Sequence, residues 1–132
     1  EYPLILNTYK MMSHAEGRGA NMPDLQETGS PLVDVKWDSW VEVHPATAER
    51  LSIADGDLVW VESVVGKVKT RAKVYLGCQP DVVNMPFDQG HRAYGRYAKD
   101  RGANPNHVLA DETDHLGGLA AFFSTRVKVY KA

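Results

Sequence analysis

Apolar and polar positions alternate along this chain in short bursts separated by turn-forming residues. An apolar run from Tyr2 to Thr8, with a proline near its start, reads as a strand that ends on polar residues. From Tyr9 to Leu32 the alternation dissolves into Gly, Ser, Asn, Pro and charged residues, with Gly17, Gly19 and Gly29 scattered through it. A loop of that length inside a compact domain is usually functional or disordered. Trp40 to Val43 alternates again as a short strand, and Pro45 then opens a helix over Ala46 to Leu51. Its apolar contacts are Ala48, Leu51 and Ile53.

Ala54-Asp55-Gly56-Asp57 is a turn signal, in which Asp55 bonds its own turn backbone and Gly56 supplies a positive φ. Leu58 to Ser63 follows as a strand with Val59 and Val61 on one face. Gly66 marks a hairpin turn into Lys67 to Tyr75, where Val68, Thr70, Ala72 and Val74 share a side and charges take the other. Gly77 to Pro80 turns the chain, Val82 to Met85 is a short apolar strand, and Phe87 to Asn106 is a second polar, basic, glycine-containing loop. Thr125 to Tyr130 alternates as a closing strand. Roughly six short strands, one short helix and two long loops predict a mainly β fold, a small barrel or sandwich.

At 132 residues the chain fits a single domain with a modest core. A hydrophobic fraction of 43% with 24% charged residues is ordinary for a globular protein. The formal charge of -2 gives no reason to expect nucleic acid or an anionic membrane surface as partner. No apolar run approaches the roughly 18 residues of a membrane span, so no direct membrane insertion is expected. The chain begins at Glu1, which reads as a segment of a longer or processed polypeptide. Cys78 stands alone and is read as an incidental thiol, neither half of a disulfide nor a nucleophile. The five histidines, His14, His44, His91, His107 and His115, show none of the spacings of a zinc site, so no metal ligand is expected among them. His44, before Pro45, reads as a residue that orients a corner, and His107 and His115 as surface or interdomain residues.

Trp40-Val41-Glu42-Val43-His44-Pro45, followed by Ala48, Leu51, Ile53, Asp55-Gly56-Asp57, Val59, Val61 and Ser63, resembles a known pattern. It is similar to the molybdopterin dinucleotide-binding domain that closes the catalytic subunits of the dimethyl sulfoxide reductase superfamily. Leu6-Asn7-Thr8-Tyr9-Lys10 with Ser13-His14 resembles that family's first loop. Gly90-His91, Tyr94-Gly95-Arg96-Tyr97-Ala98 and Gly102-Ala103-Asn104-Pro105-Asn106 resemble its second loop, most like the polysulfide and thiosulfate reductase branch and its quinone-linked respiratory relatives. Thr125-Arg126-Val127-Lys128-Val129 resembles its last strand, so the likeness runs the length of the chain in the family's order. The resemblance implies a double-psi β-barrel over residues 1–132, forming the C-terminal domain of a larger oxidoreductase.

It also implies a ligand: molybdenum or tungsten held by two pterin dithiolenes, each extended by a guanine nucleotide. Such a ligand calls for flexible backbone near phosphate, basic or neutral side chains, and amides matched to ring edges. Thr8 and Ser13 offer hydroxyls, Lys10 a positive charge and His14 an imidazole, with Tyr9 beside them. Taken alone these residues describe a strand end with a solvated lysine; the resemblance turns them into cofactor contacts. Asn21 and Pro23 are read as shaping the loop. Asn104 likewise reads alone as the start of an Asn-Pro turn, and with the resemblance as an amide on a pterin or guanine edge. His91, Arg96 and Tyr97 complete the expected cofactor-binding set; Arg92 and Arg101 rank below them. No catalytic residue and no metal ligand is assigned within this segment.

One departure stands out: family members often carry a lysine before the closing strand, and Phe123 occupies that place here. One positive charge is then missing from the pocket, and some quinone-linked relatives keep the fold without the cofactor. Three readings follow. The first is a cofactor-capping domain whose parent passes electrons to iron–sulfur clusters elsewhere in that parent, with iron–sulfur electron-transfer and membrane-anchor subunits as partners beside its own other domains. On that reading the parent works in the periplasm or the cytoplasm on inorganic sulfur compounds. The second is a structural barrel in a quinone-linked electron-transfer complex. The third is a stand-alone recognition barrel, against which both cofactor-type loops argue.

Overall fold

The computed structural model describes residues 1–28 and 34–132; Gly29 and the end of the first loop at Leu32 lie outside the described residues. Six strands close into a barrel in the order β1-β5-β2-β4-β3-β6. They are β1 (Leu4–Tyr9), β2 (Trp40–Val43), β3 (Leu58–Glu62), β4 (Lys67–Val74), β5 (Val82–Pro86) and β6 (Arg126–Lys131). Two neighbouring pairs, β1·β5 and β2·β4, run parallel and the rest antiparallel. This is the mainly β, double-psi barrel that the sequence implies.

Alternation sets which side chains fill it. Leu4 and Leu6 of β1, Val59 and Val61 of β3, Val83 and Met85 of β5, and Val127 and Val129 of β6 are buried in one continuous core. Val68, Thr70 and Ala72 of β4 are buried as the pattern requires, while Val74 is only half-buried at the strand's end. The helix expected after β2 is α2 (Pro45–Arg50), packed into the core through Ala48. His44 caps it, its Nδ1 accepting from the Ala46 N–H at 3.1 Å, which is how that residue orients the corner.

Two details correct the sequence reading. Gly56 has the expected positive φ of 85°, but Asp57 closes the turn, its carboxylate accepting from the Ala54 N–H at 2.8 Å. Asp55 instead reaches across to the Val74 N–H at 2.8 Å and the Lys73 ammonium at 3.3 Å. The long loops also hold more structure than their composition suggests. The first contains α1 (Pro23–Thr28); the second contains α3 (Gly95–Ala98) and a single 3₁₀ turn, Pro105–His107. At three to six residues each, these elements are too short to display an apolar period.

The core predicts its own test. Leu6 is fully buried within the barrel, so Leu6→Ala should lower stability by about 2–5 kcal/mol. Leu116, fully exposed, should change it by no more than about 0.5 kcal/mol when replaced by alanine. Urea unfolding of the two variants measures both, and equal losses would contradict this assignment of the core.

Candidate functional site

The parallel register pairs Tyr9 at the end of β1 with Pro86 at the end of β5, so both long loops leave the barrel at the same end and side by side. Asp88 fastens them. Fully buried, it accepts from the Met11 N–H at 2.9 Å. Burial raises its pKa, while the amides of Met11, Glu16 and Gly17 and the His14 ring pull it back. Among the described residues, Thr8 Oγ1, Ser13 Oγ, both His14 ring nitrogens and His91 Nε2 are buried polar atoms without a hydrogen-bond partner. Native interiors contain few such atoms, and each calls for a water, an ion or a ligand.

The residues proposed from sequence fall into three places. Thr8, Tyr9 and Lys10 line a cleft of ≈ 490 Å³ with Glu16, Phe87, Asn106, Leu109, Phe122 and Phe123. Lys10 is solvent-exposed there and pairs with Glu16 at 2.7 Å. Tyr9 is held differently, its hydroxyl donating to the buried Glu42 carboxylate at 2.7 Å. Burial and that carboxylate push its pKa well above the usual phenol range. His14 lies beside Asp88, 2% exposed, and desolvation depresses its pKa, with Asp88 opposing; Ser13, next to it in the chain, is half-buried. Asn104 and His91 line a separate groove of ≈ 290 Å³, together with Trp60, Lys67, Lys69 and Arg92.

Arg96 and Tyr97 sit outside both cavities. The Arg96 guanidinium lies 4.7 Å from the Tyr97 ring centroid and donates to its hydroxyl at 2.6 Å. Asn104 serves the turn that its dipeptide predicts, its Oδ1 accepting from the Asn106 N–H at 3.0 Å. Among the described residues no hydrogen bond engages its Nδ2. His91 stands half-exposed, its ring 5.0 Å from that of Tyr94 and its Nε2 against Gly17. Gly17 has a φ of +90°, and a Cβ there would come within 2.9 Å of the His91 Nε2. Glycine is therefore required at that crossing for two reasons, backbone and space.

Several organising residues escaped the sequence reading. Gln26 of α1 and Gln89 of the second loop exchange side-chain hydrogen bonds at 3.1 and 2.6 Å, both buried. Ser39 Oγ accepts from the Ala103 N–H at 2.7 Å, while Asn21, which the sequence reads as shaping the loop, accepts from the Tyr97 N–H at 3.0 Å. Glu42 gathers Tyr9, Trp40 at 3.2 Å and Asn84 at 3.0 Å beneath the cleft. Cys78 lies buried against that cluster with its thiol pushed up to about 12, chiefly by desolvation, which leaves it unreactive near neutrality. Apart from Trp40, two residues before Glu42, their partners are distant in sequence, so no local spacing marks them. Among the described residues no three His, Cys, Asp or Glu side chains gather as a metal site, and no helix is long and apolar enough to cross a membrane.

Comparison with known proteins adds to this geometry. The family described as "Molydopterin dinucleotide binding domain" matches residues 4–126. The molybdopterin-containing subunit of the arsenate respiratory reductase of Shewanella sp. (strain ANA-3) is 36% identical over 99% of this chain and 16% of its own length. The menaquinone reductase molybdopterin-binding-like subunit of Nitratidesulfovibrio vulgaris is 35% identical over 72% of this chain and 14% of its own. The thiosulfate reductase molybdopterin-containing subunit of Salmonella typhimurium is 31% identical over 83% and 14%. Among solved structures, the acetylene hydratase of Pelobacter acetylenicus shares the fold, with a TM-score of 0.77 and 24% identity over 99% of this chain and 18% of its own. The chain thus spans less than a fifth of these relatives.

Two predictions come from the loop junction. Asp88→Ala leaves the Met11 amide without its acceptor inside the protein, at a cost of about 1–3 kcal/mol. Hydrogen exchange at residues 11–20 should quicken, and unchanged exchange there would remove Asp88 as the fastener. The second concerns pH. His14 has a folded pKa below its ordinary 6.5, so the stability it contributes is complete above that value and is lost as pH falls through the lowered one. Asp88, raised above 3.8, acts with opposite sign: its contribution is present below 3.8 and lost as pH rises through the raised value. Urea midpoints at about pH 7.5 and about pH 5.5 should therefore fall with acidity less in His14→Gln than in the parent sequence. Identical slopes would show that His14 does not titrate in this window.

Proposed function

Since the chain belongs to the molydopterin dinucleotide binding domain family, as found in catalytic subunits of dimethyl sulfoxide reductase type, we propose that it caps a molybdenum or tungsten bis(guanine dinucleotide) cofactor within a larger oxidoreductase. The observation that carries this reading is the set of buried polar atoms on the two loops and the end of β1 that lack a partner among the described residues, together with the cleft that Thr8 and Lys10 line. A polar, multi-edged ligand fits such donors and acceptors; an apolar one does not. When bound, that group supplies the metal-centred redox chemistry.

What this chain's residues contribute is binding and exclusion. The Thr8 hydroxyl offers a hydrogen bond at the inner end of the cleft, and Lys10 a positive charge at its mouth. Glu16 holds that ammonium in place while no anion competes for it. Phe87, Phe122 and Phe123 add apolar surface to the cleft lining, which would exclude water from a ring system bound there. Ser13, His14 and His91 hold polar atoms without partners among the described residues, Asn104 lines the neighbouring groove, and Arg96 packs on Tyr97, whose N–H is held by Asn21.

The parent's chemistry is read as respiratory oxidation or reduction of a small inorganic substrate. A thiosulfate reductase subunit among the relatives supports a sulfur compound, and an arsenate respiratory reductase subunit widens the class to oxyanions. Electron-transfer subunits with iron–sulfur clusters, a cluster in the parent itself and a membrane-anchor subunit belong to this proposal, on either side of the membrane.

A second reading has its own support. Phe123 brings no charge to the cleft, and one relative is named molybdopterin-binding-like; the barrel would then be a structural module of a quinone-linked complex. One experiment separates the two. The full-length protein is denatured in acid and assayed for guanine nucleotide, pterin fluorescence, molybdenum, tungsten and iron. Guanine with molybdenum or tungsten is expected, and Lys10→Ala with Asn104→Ala should lower both together. Iron without nucleotide or pterin would establish the structural module instead, and full metal content in the double variant would sink the site assignment.

A further inference from the structure

Residues 111–124 stand away from the barrel as a small, self-built hairpin. Thr113 and Ala120 form an isolated antiparallel bridge. The Asp114 N–H donates to Leu119 O and the Ala121 N–H to Glu112 O, both at 2.8 Å. Across its tip the Asp114 carboxylate accepts from the amides of Leu116, Gly117 and Leu119 at 2.7, 2.8 and 3.0 Å. Those three N–H groups also hold its carboxyl below the ordinary range, so it stays charged and keeps its acceptors at neutral pH. The hairpin therefore has a defined shape without leaning on the core.

What it displays is apolar. Leu116 is 101% exposed, Leu119 74%, Phe123 62% and Phe122 53%. One such residue on a surface is ordinary. Four on a single excursion that is already shaped are the mark of a surface meant to be covered. The element that shapes the tip is built from backbone amides and one carboxylate, so covering the side chains would not dismantle it.

We infer that this hairpin is a docking element for the remainder of the same catalytic subunit, which receives it in an apolar pocket with a basic rim. Three observations select that occupant. Phe122 and Phe123 belong both to the base of the hairpin and to the cleft that holds Thr8 and Lys10, so whatever closes the open side of the cleft also meets the hairpin. The similar arsenate respiratory reductase subunit is matched over only 16% of its length, which leaves ample polypeptide to do so. Asp111, Glu112 and Asp114 make the hairpin acidic against His115 alone, which calls for positive charge on the receiving rim. The inference rests on the reading of this chain as one domain of a cofactor-bearing subunit, and its test separates the two.

Hydrogen exchange is compared between the full-length protein and the 132-residue chain. Amides of residues 115–124 should exchange at least about tenfold more slowly in the full-length protein, with those of β6 alike in both. Leu116→Asp with Leu119→Asp should return the segment to its rate in the isolated chain and open the full-length protein to limited proteolysis. Asp114→Ala, which unshapes the tip, should do so in part. The melting temperature of the isolated chain carrying these changes is the control for folding, and it should not move. Equal exchange rates in the two proteins would overturn the inference. So would protection that appears only at high concentration of the isolated chain, which would assign the hairpin to a second copy. Guanine nucleotide is assayed on the same full-length sample. Protection without nucleotide keeps the dock and removes the cofactor; nucleotide without protection keeps the cofactor and removes the dock.

Discussion

The arrangement of this molecule depends on one constraint, the parallel pairing of β1 with β5. Parallel neighbours cannot be joined by a tight hairpin; the chain must travel back before it can pair in the same direction. In this barrel that requirement is met twice, at β1·β5 and β2·β4. The first pairing ends with Tyr9 opposite Pro86. Two segments far apart in sequence therefore begin at adjacent points on one rim. Loops that would be unrelated in an up-and-down barrel become neighbours, and the Asp88 carboxylate can reach the Met11 amide.

Once adjacent, the loops lock to each other more than to the barrel. The buried Gln26–Gln89 pair, the Asn21–Tyr97 contact, the Ser39–Ala103 contact and the Tyr94 hydroxyl on Arg18 O tie them at intervals. These bonds satisfy backbone and amide groups that burial would otherwise leave costly. They also stiffen a region whose own apolar packing is small among the described residues, a cluster of Met11 and Trp40 with Tyr9 and Val35 against it. Against that background the unpartnered atoms of Thr8, Ser13, His14 and His91 are conspicuous. A fold that pairs glutamine with glutamine across two loops has the means to satisfy a hydroxyl or an imidazole. Leaving several without a partner among the described residues is a local conflict of the kind that functional sites show.

The barrel was legible because its strands obey a short-range rule. Alternation at Leu4 and Leu6, Val59 and Val61, Val68 and Ala72, and Val127 and Val129 is visible in the chain, and burial follows it. The turn at residues 54–57 was legible as a turn, but its carboxylate was misassigned, because either aspartate satisfies a composition argument and only the register with β4 sends Asp55 to Val74. The site was half legible. Thr8, Lys10, Ser13, His14, His91 and Asn104 stand out by residue type and by resemblance to a family. Asp88, Gln26 and Gln89 do not, because their partners are tens of residues away. Glu42 is the clearest case: a charged residue in a four-residue strand whose every position is buried, held by Trp40 of its own strand and by Tyr9 and Asn84, which no local spacing announces.

The division of the candidate residues between two cavities bears on what sort of ligand they could share. Thr8 and Lys10 open into the cleft walled by three phenylalanines, whereas His91 and Asn104 open into the groove floored by Trp60. Their electrostatics differ as well. In the cleft Lys10 is already matched by Glu16. In the groove Lys67 and Lys69 sit over the Trp60 ring and face Arg92, with Asp100 the acidic residue among the lining groups. On the same strand Arg71 and Lys73 are paired with Asp38 and Asp55, whereas Lys67 and Lys69 form no salt bridge among the described residues. A compact ligand would use one cavity or the other. A ligand touching both sets must be long, with a flat part suited to aromatic walls and an anionic part suited to the basic groove. A pterin extended through a pyrophosphate to a nucleotide has that division of chemistry, and Gly17, where a side chain would meet the His91 ring, marks the point at which the first loop crosses the second.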